Sequence, residues 1–151
     1  MKINLLLVLA VLLCSCSNPE HYFEEFVSAA EDSCVPSYDL TPRDKWKNVN
    51  PAYYRVFRSG PKMNQFLLEK AKSEKPTKWH ICPFPFYLTE GDISINLLID
   101  INNINFDTII PDHLIDEYHV TGAGPWWEFL RENTENREII IRMIREQLAD
   151  I

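Results

Sequence analysis

Apolar residues recur at three- and four-residue spacing over most of this chain, the signature of helices that bury one face. The last stretch carries the clearest stripe: Ile140, Met143, Ile144, Gln147, Leu148 and Ile151, backed by Arg137, Arg142 and Arg145. Near the start, Tyr22, Phe23, Phe26, Val27 and Ala30 predict a helix over 21–33. Asn50-Pro51 is a helix start, because Asn can cap and Pro tolerates the first helical position. Tyr53, Tyr54 and Phe57 then share a face until Ser59-Gly60-Pro61 stops that helix. A further helix follows, with Met63, Phe66, Leu67 and Ala71 inward and Lys62, Glu69, Lys70 and Lys72 outward.

Two segments break the rule. Residues 75–88 contain Pro76, Pro83 and Pro85, which remove donors and favour extended backbone before them. The aromatic residues there, Trp79, Phe84, Phe86 and Tyr87, make this a connection that packs along the core. Residues 92–106 fit two periods: Ile93, Ile95, Leu97, Ile99 and Ile101 alternate like a strand, while Ile93, Leu97, Leu98, Ile101 and Ile104 fit a helix. Context favours the helix, since no other segment offers a strand partner of similar length and Thr89 with Asp92 spells a capping box.

Beyond it, 111–118 predicts a short helix through Leu114, Ile115 and Tyr118. Thr121-Gly122-Ala123-Gly124 predicts a turn, and Pro125 opens a helix through Trp126, Trp127, Phe129 and Leu130 that 133–136 interrupts or recaps. The expected fold is mostly α, one compact domain of five to seven helices over 21–151, with a Pro- and aromatic-rich extended connection. There is no internal repeat and no low-complexity tract.

The first residues follow another logic. Lys2 precedes an apolar run of eleven residues, Ile3 to Leu13, broken only by Asn4, and small residues follow before Cys16. That is the layout of a secretory signal. A helix crossing the bilayer needs about twenty apolar residues, so this run is too short for a confident span. The alternatives are an ordinary cleaved signal and an uncleaved anchor. Leu13-Cys14-Ser15-Cys16 resembles the lipobox of bacterial lipoproteins, with an apolar residue three before the cysteine and a small one just before it. The resemblance covers residues 1–16 only. It implies a signal peptide over 1–15, lipid attachment at Cys16 and a tether over 16–20. Ser17 stands where Asp marks inner-membrane retention in some lipoprotein systems, so delivery to the outer membrane is what the resemblance implies.

Cutting there leaves 136 residues with 14 basic and 22 acidic side chains, a formal charge of −8. Such a balance argues against nucleic acid as a partner, and against adhesion to anionic lipid through the protein surface. Only Cys34 and Cys82 remain after the signal. They either close a loop of about fifty residues, adding around 4 kcal/mol in the chain-entropy model, or lie buried as free thiols.

Candidate chemistry is sparse. Asp112, His113, Asp116, Glu117 and His119 form the densest group of proton-transfer or metal-binding types, yet the two His are six apart, not the four of a metalloprotease helix. An exposed acidic helix explains them equally. Asp92 and Asp100, eight apart, would lie roughly 12 Å apart along a helix, beyond the about 5 to 9.5 Å of paired glycosidase carboxylates. No Gly-x-Ser-x-Gly elbow appears, and Gly122-x-Gly124 runs into Pro125 with no following Lys, so neither hydrolase nor nucleotide signature is present. No metal and no cofactor is expected. Adjacent Trp126 and Trp127 diverge by about 100° on a helix, so one is expected at the surface as an anchor for a protein or sugar ring. The plain alternative puts one in the core and the other over the preceding glycine turn.

The leading expectation is a membrane-tethered, non-enzymatic binding module of the cell envelope, held by lipid on Cys16 and meeting a protein or glycan partner, in its sharper form an inhibitor or immunity-type protein. The other is an envelope hydrolase drawing on Asp92, Asp100 or Asp116 from separate segments.

Overall fold

The computed structural model describes residues 19–28, 33–34, 51–80, 87–121 and 124–149. In chain order these residues form α1 (Pro19–Val27), β1 (Ser33–Cys34), α2 (Pro51–Arg58), a 3₁₀ turn (Gly60–Met63), α3 (Asn64–Lys70), β2 (Pro76–His80), β3 (Tyr87–Thr89), α4 (Glu90–Asn102), a second 3₁₀ turn (Phe106–Thr108), α5 (Asp112–Thr121), α6 (Gly124–Glu132) and α7 (Thr134–Ala149). The fold is therefore mostly helical, with seven α-helices among the described residues, as the periodicity predicts. Among them no helix is long and apolar enough to cross a membrane.

The centre is α4. Ile93, Ile95, Leu97 and Leu98 are fully buried and Ile99 nearly so, and helices α2, α3 and α7 and strand β3 pack around it. A helix covered on almost every side has no polar face, which is why its sequence fits a strand as well as a helix. Fully burying each such side chain contributes about 1.5–3 kcal/mol. The capping box settled the choice as expected: the Thr89 hydroxyl accepts from Asp92 N at 3.1 Å, and Asp92 Oδ2 accepts from Thr89 N at 2.8 Å. The far end closes on Asn103 in the left-handed region at φ 52°, whose N–H reaches Ile99 O.

The start of α4 is pressed against the end of α3. Glu90 N donates to Lys75 O at 2.9 Å and Gly91 N to Ser73 O at 3.0 Å. A Cβ on Gly91 would meet the carbonyl oxygens of Ala71 and Ser73 at 2.6 Å, so only glycine fits there.

The proline-rich connection is extended, as predicted, but it is more than a connection. It supplies two strands of a three-stranded sheet ordered β1-β2-β3, with β1 parallel to β2 and β2 antiparallel to β3. Ser33 pairs with Trp79 and Cys34 with His80, and Pro76 with Thr89. Pro76 opens its strand, the position where a missing donor costs least. Trp79 is 5% exposed; its ring lies 4.2 Å from that of Phe26, and its Nε1 donates to Phe26 O at 2.7 Å, satisfying a carbonyl at the end of α1.

Three expectations are corrected. α1 ends at Val27, not at 33, and Ser33 belongs to β1. Arg137, read as part of the polar back of α7, is 6% exposed and points inward. Trp126 and Trp127 do not form a binding surface: they are 1% and 2% exposed. Both are buried because α6 packs against α5 on one side and α7 on the other, so faces 100° apart are each covered. Trp126 meets Phe106 edge-on at 4.6 Å. The recap expected near 133–136 is found: Asn133 Oδ1 accepts from Asn136 N at 2.8 Å and starts α7.

Candidate functional site

Charge is gathered in three places inside the fold and one on its surface. At the first, Asp92 is completely buried and its Oδ1 meets Arg137 Nη2 at 2.6 Å. Arg131 Nη1 stands 3.9 Å from the other oxygen and donates to Tyr87 O at 2.7 Å. Asp92 thus caps α4 and at the same time anchors α7, with both oxygens engaged and no exposure to solvent.

The second gathers around Glu90, whose side chain is 4% exposed. Lys75 Nζ lies 2.6 Å from Oε1, Ser73 Oγ donates to Oε2 at 3.1 Å, and Lys70 stands 3.9 Å away while holding Glu24 at 2.5 Å. Burial alone would raise the Glu90 carboxyl. The hydrogen bonds from Lys75 and Ser73 and the charges of Lys70 and Lys75 outweigh it and hold the group below the usual range. The same hydrogen bond and charge raise Lys75.

The third lies between α2 and α4. Tyr53 OH donates to Asp100 Oδ2 at 2.5 Å, and Asn96 Nδ2 donates to the Tyr53 oxygen at 2.5 Å. Asp100 is 1% exposed, and its Oδ1 has no hydrogen-bond partner among the described residues. Burial pushes its carboxyl well above the ordinary carboxylate range.

The three carboxylates considered for hydrolysis do not converge. Asp92 and Asp100 sit at opposite ends of α4, each bonded internally, while Asp116 is exposed on α5. Asp112 and His113 are exposed beside it, with His113 edge-on to Phe129 at 6.0 Å; the side chains of Glu117 and His119 lie outside the described residues. Among the described residues no three His, Cys, Asp or Glu are placed to hold a metal ion. Cys16 and Cys82 also lie outside the described residues, as does any bridge from Cys34.

The surface group is an open cleft of about 470 Å³ between the start of α1 and the end of α2, lined by Tyr22, Tyr54, Arg55, Arg58, Ser59 and Lys62. Arg55 and Arg58 are three apart and share a helix face. The Arg55 guanidinium stands 5.7 Å from the centre of the Tyr22 ring and that of Arg58 5.9 Å from Tyr54, so each ring holds a cation in place. Glu25 sits 3.6 Å from Arg55. Arg58 and Lys62 make no ion pair among the described residues. Its volume falls within the usual span of small-molecule sites, about 300–1,000 Å³.

Sequence reasoning did not single out this cleft, although a signal existed. From 51 to 68 there are three cations and no acid, in a chain with an acidic excess of seven. Arg137 and Glu90 were missed for a different reason, since their partners are distant in sequence. Comparison with protein-family models, with curated proteins and with solved structures finds no significant match.

Proposed function

We propose that this chain is a lipid-anchored protein of the bacterial cell envelope, cut before Cys16, whose folded domain acts by binding. The observation that carries the binding half is the contrast within the described residues. The buried carboxylates of Asp92 and Glu90 are closed by cations and one oxygen of Asp100 is held by Tyr53, whereas the cleft presents Arg58 and Lys62 without carboxylate partners. Groups already satisfied hold the fold together; groups left open to solvent are free to meet something else. The anchor half is supported by the lipobox at Leu13–Cys16. Ser17 supports delivery to an outer membrane. The net charge of −8 after cleavage suits a basic envelope protein meeting the acidic surface away from the cleft, in keeping with an inhibitor or immunity role.

The test is the amino-terminal peptide of the protein isolated from its native host. Its mass should show a polypeptide beginning at Cys16 with a diacylglyceryl adduct, and the protein should leave the membrane fraction with detergent but not with salt. An unmodified chain that washes off with salt ends the tether reading.

A further inference from the structure

We infer that the cleft between α1 and α2 seats the headgroup of a net-negative membrane phospholipid, so that the domain rests with this face on the bilayer. The inference rests on Cys16 being the anchor, and it adds an orientation to that reading. Three steps carry it.

The first is reach. α1 begins at Pro19, three residues after Cys16, and an extended chain spans at most about 3.6 Å per residue, roughly 11 Å in all. Tyr22 lies three residues further along the helix, about 4.5 Å more. The Cα of Tyr22, on the near wall of the cleft, is therefore held within about 16 Å of the Cα of Cys16, whatever path the tether takes.

The second is charge. The chain as a whole is acidic and would be repelled by an anionic bilayer, but at physiological ionic strength the Debye length is about 8 Å, so the nearest charges decide. The charges that line the cleft are Arg55, Arg58 and Lys62, all exposed and all cationic, while Glu20 and Glu25 stand exposed on α1 beside it. Glu25 neutralises part of Arg55, which leaves Arg58 and Lys62 as the contact cations. The third is shape. Tyr22 and Tyr54 are half-buried, each presenting a ring beside a guanidinium, and tyrosine is a residue that favours the headgroup level of a membrane. A cation near an anionic leaflet contributes about a fivefold preference, about 1 kcal/mol.

The full acylated protein, reconstituted in discs of phosphatidylcholine alone or with phosphatidylglycerol added, tests this by hydrogen exchange of the backbone over 51–62. The expected result is several-fold slower exchange with phosphatidylglycerol, lost in R58E/K62E, whose circular dichroism and melting should match the parent. Equal exchange in both lipids, with Cys16 shown to be acylated, overturns the inference and leaves the anchor standing. Protection already present in neutral lipid would mean that a net-negative headgroup is not what covers the face, a zwitterionic lipid or a second copy of the chain doing so instead, and also overturns it. So does equal protection by millimolar inorganic phosphate in neutral discs, because the site would then be one for a soluble anion. An unmodified Cys16 removes the anchor and the inference with it.

Discussion

The amino-terminal end of α4 and the cleft beside α2 are both built from arginine, lysine and neighbouring polar groups, yet they do opposite things with their charge. At the first, Arg137 and Asp92 are 7% and 0% exposed and meet at 2.6 Å, with Thr89, Arg131 and Tyr87 completing the set. At the second, Arg55 is half-exposed and Arg58, also exposed, lies over a tyrosine ring. A buried charge without its partner is intolerable, so burial forces pairing and pairing consumes the group. An exposed cation costs little to leave open. Where charge is closed the residue serves the fold, and where it is open it is available for function.

The sharpest way to break that comparison is to remove one side of the buried pair. R137A or D92A should cost about 3–5 kcal/mol of unfolding free energy, read from urea denaturation, because each leaves an uncompensated interior charge. A loss below 1 kcal/mol would show that the pair is not dry. G91A should cost about 1–3 kcal/mol in the same measurement, as the added methyl runs into two backbone oxygens that cannot rotate away.

The titrating pair comes next and sharpens the distinction between a paired and an unpaired interior acid. The folded state lowers the Glu90 carboxyl, so its contribution is present above the ordinary carboxylate range and is lost as the pH falls through the depressed value. Asp100 runs the other way. Its folded form holds the proton more firmly than the unfolded chain, so its contribution is present below about pH 4 and is lost as the pH rises through the raised value. D100N should flatten the alkaline limb of a stability profile and leave the acid limb, while E90Q should flatten the acid limb. Equal profiles for D100N and the parent would show that Asp100 holds its proton no more firmly in the folded than in the unfolded chain. The smallest effect is expected at the cleft, where R58E should change stability by no more than about 0.5 kcal/mol in urea denaturation. A larger loss would make the open cations part of the fold after all.

What the sequence disclosed follows the range of each interaction. The capping box of α4 was legible because Thr89 and Asp92 are three residues apart, and the stop at Ser59-Gly60 because Gly60 takes up a φ of 69° on the spot. α7 was legible as a stripe, but not the inward turn of Arg137, whose partner lies 45 residues away. The sheet escaped notice for a similar reason. Its strands have two, five and three residues, too short to show an alternation, and β1 pairs with a strand more than forty residues later. The two tryptophans of α6 misled because periodicity describes one helix at a time, and whether a second face is covered depends on what packs there. Within the cleft, Arg55, Arg58 and Lys62 were visible as a run without acids, yet only the fold brings Tyr22 to them.

The bond from the Trp79 indole to Phe26 has a mechanical consequence. It fastens the carboxyl end of α1 to the middle strand of the sheet, and the stacked rings add a dry contact beside it. Tension applied at the amino end of α1 would run along that helix and enter β2 sideways, as shear. Weakening the joint with W79F, which keeps a ring but removes the donor, should lower the force at which a tethered molecule gives way more than it lowers the melting temperature.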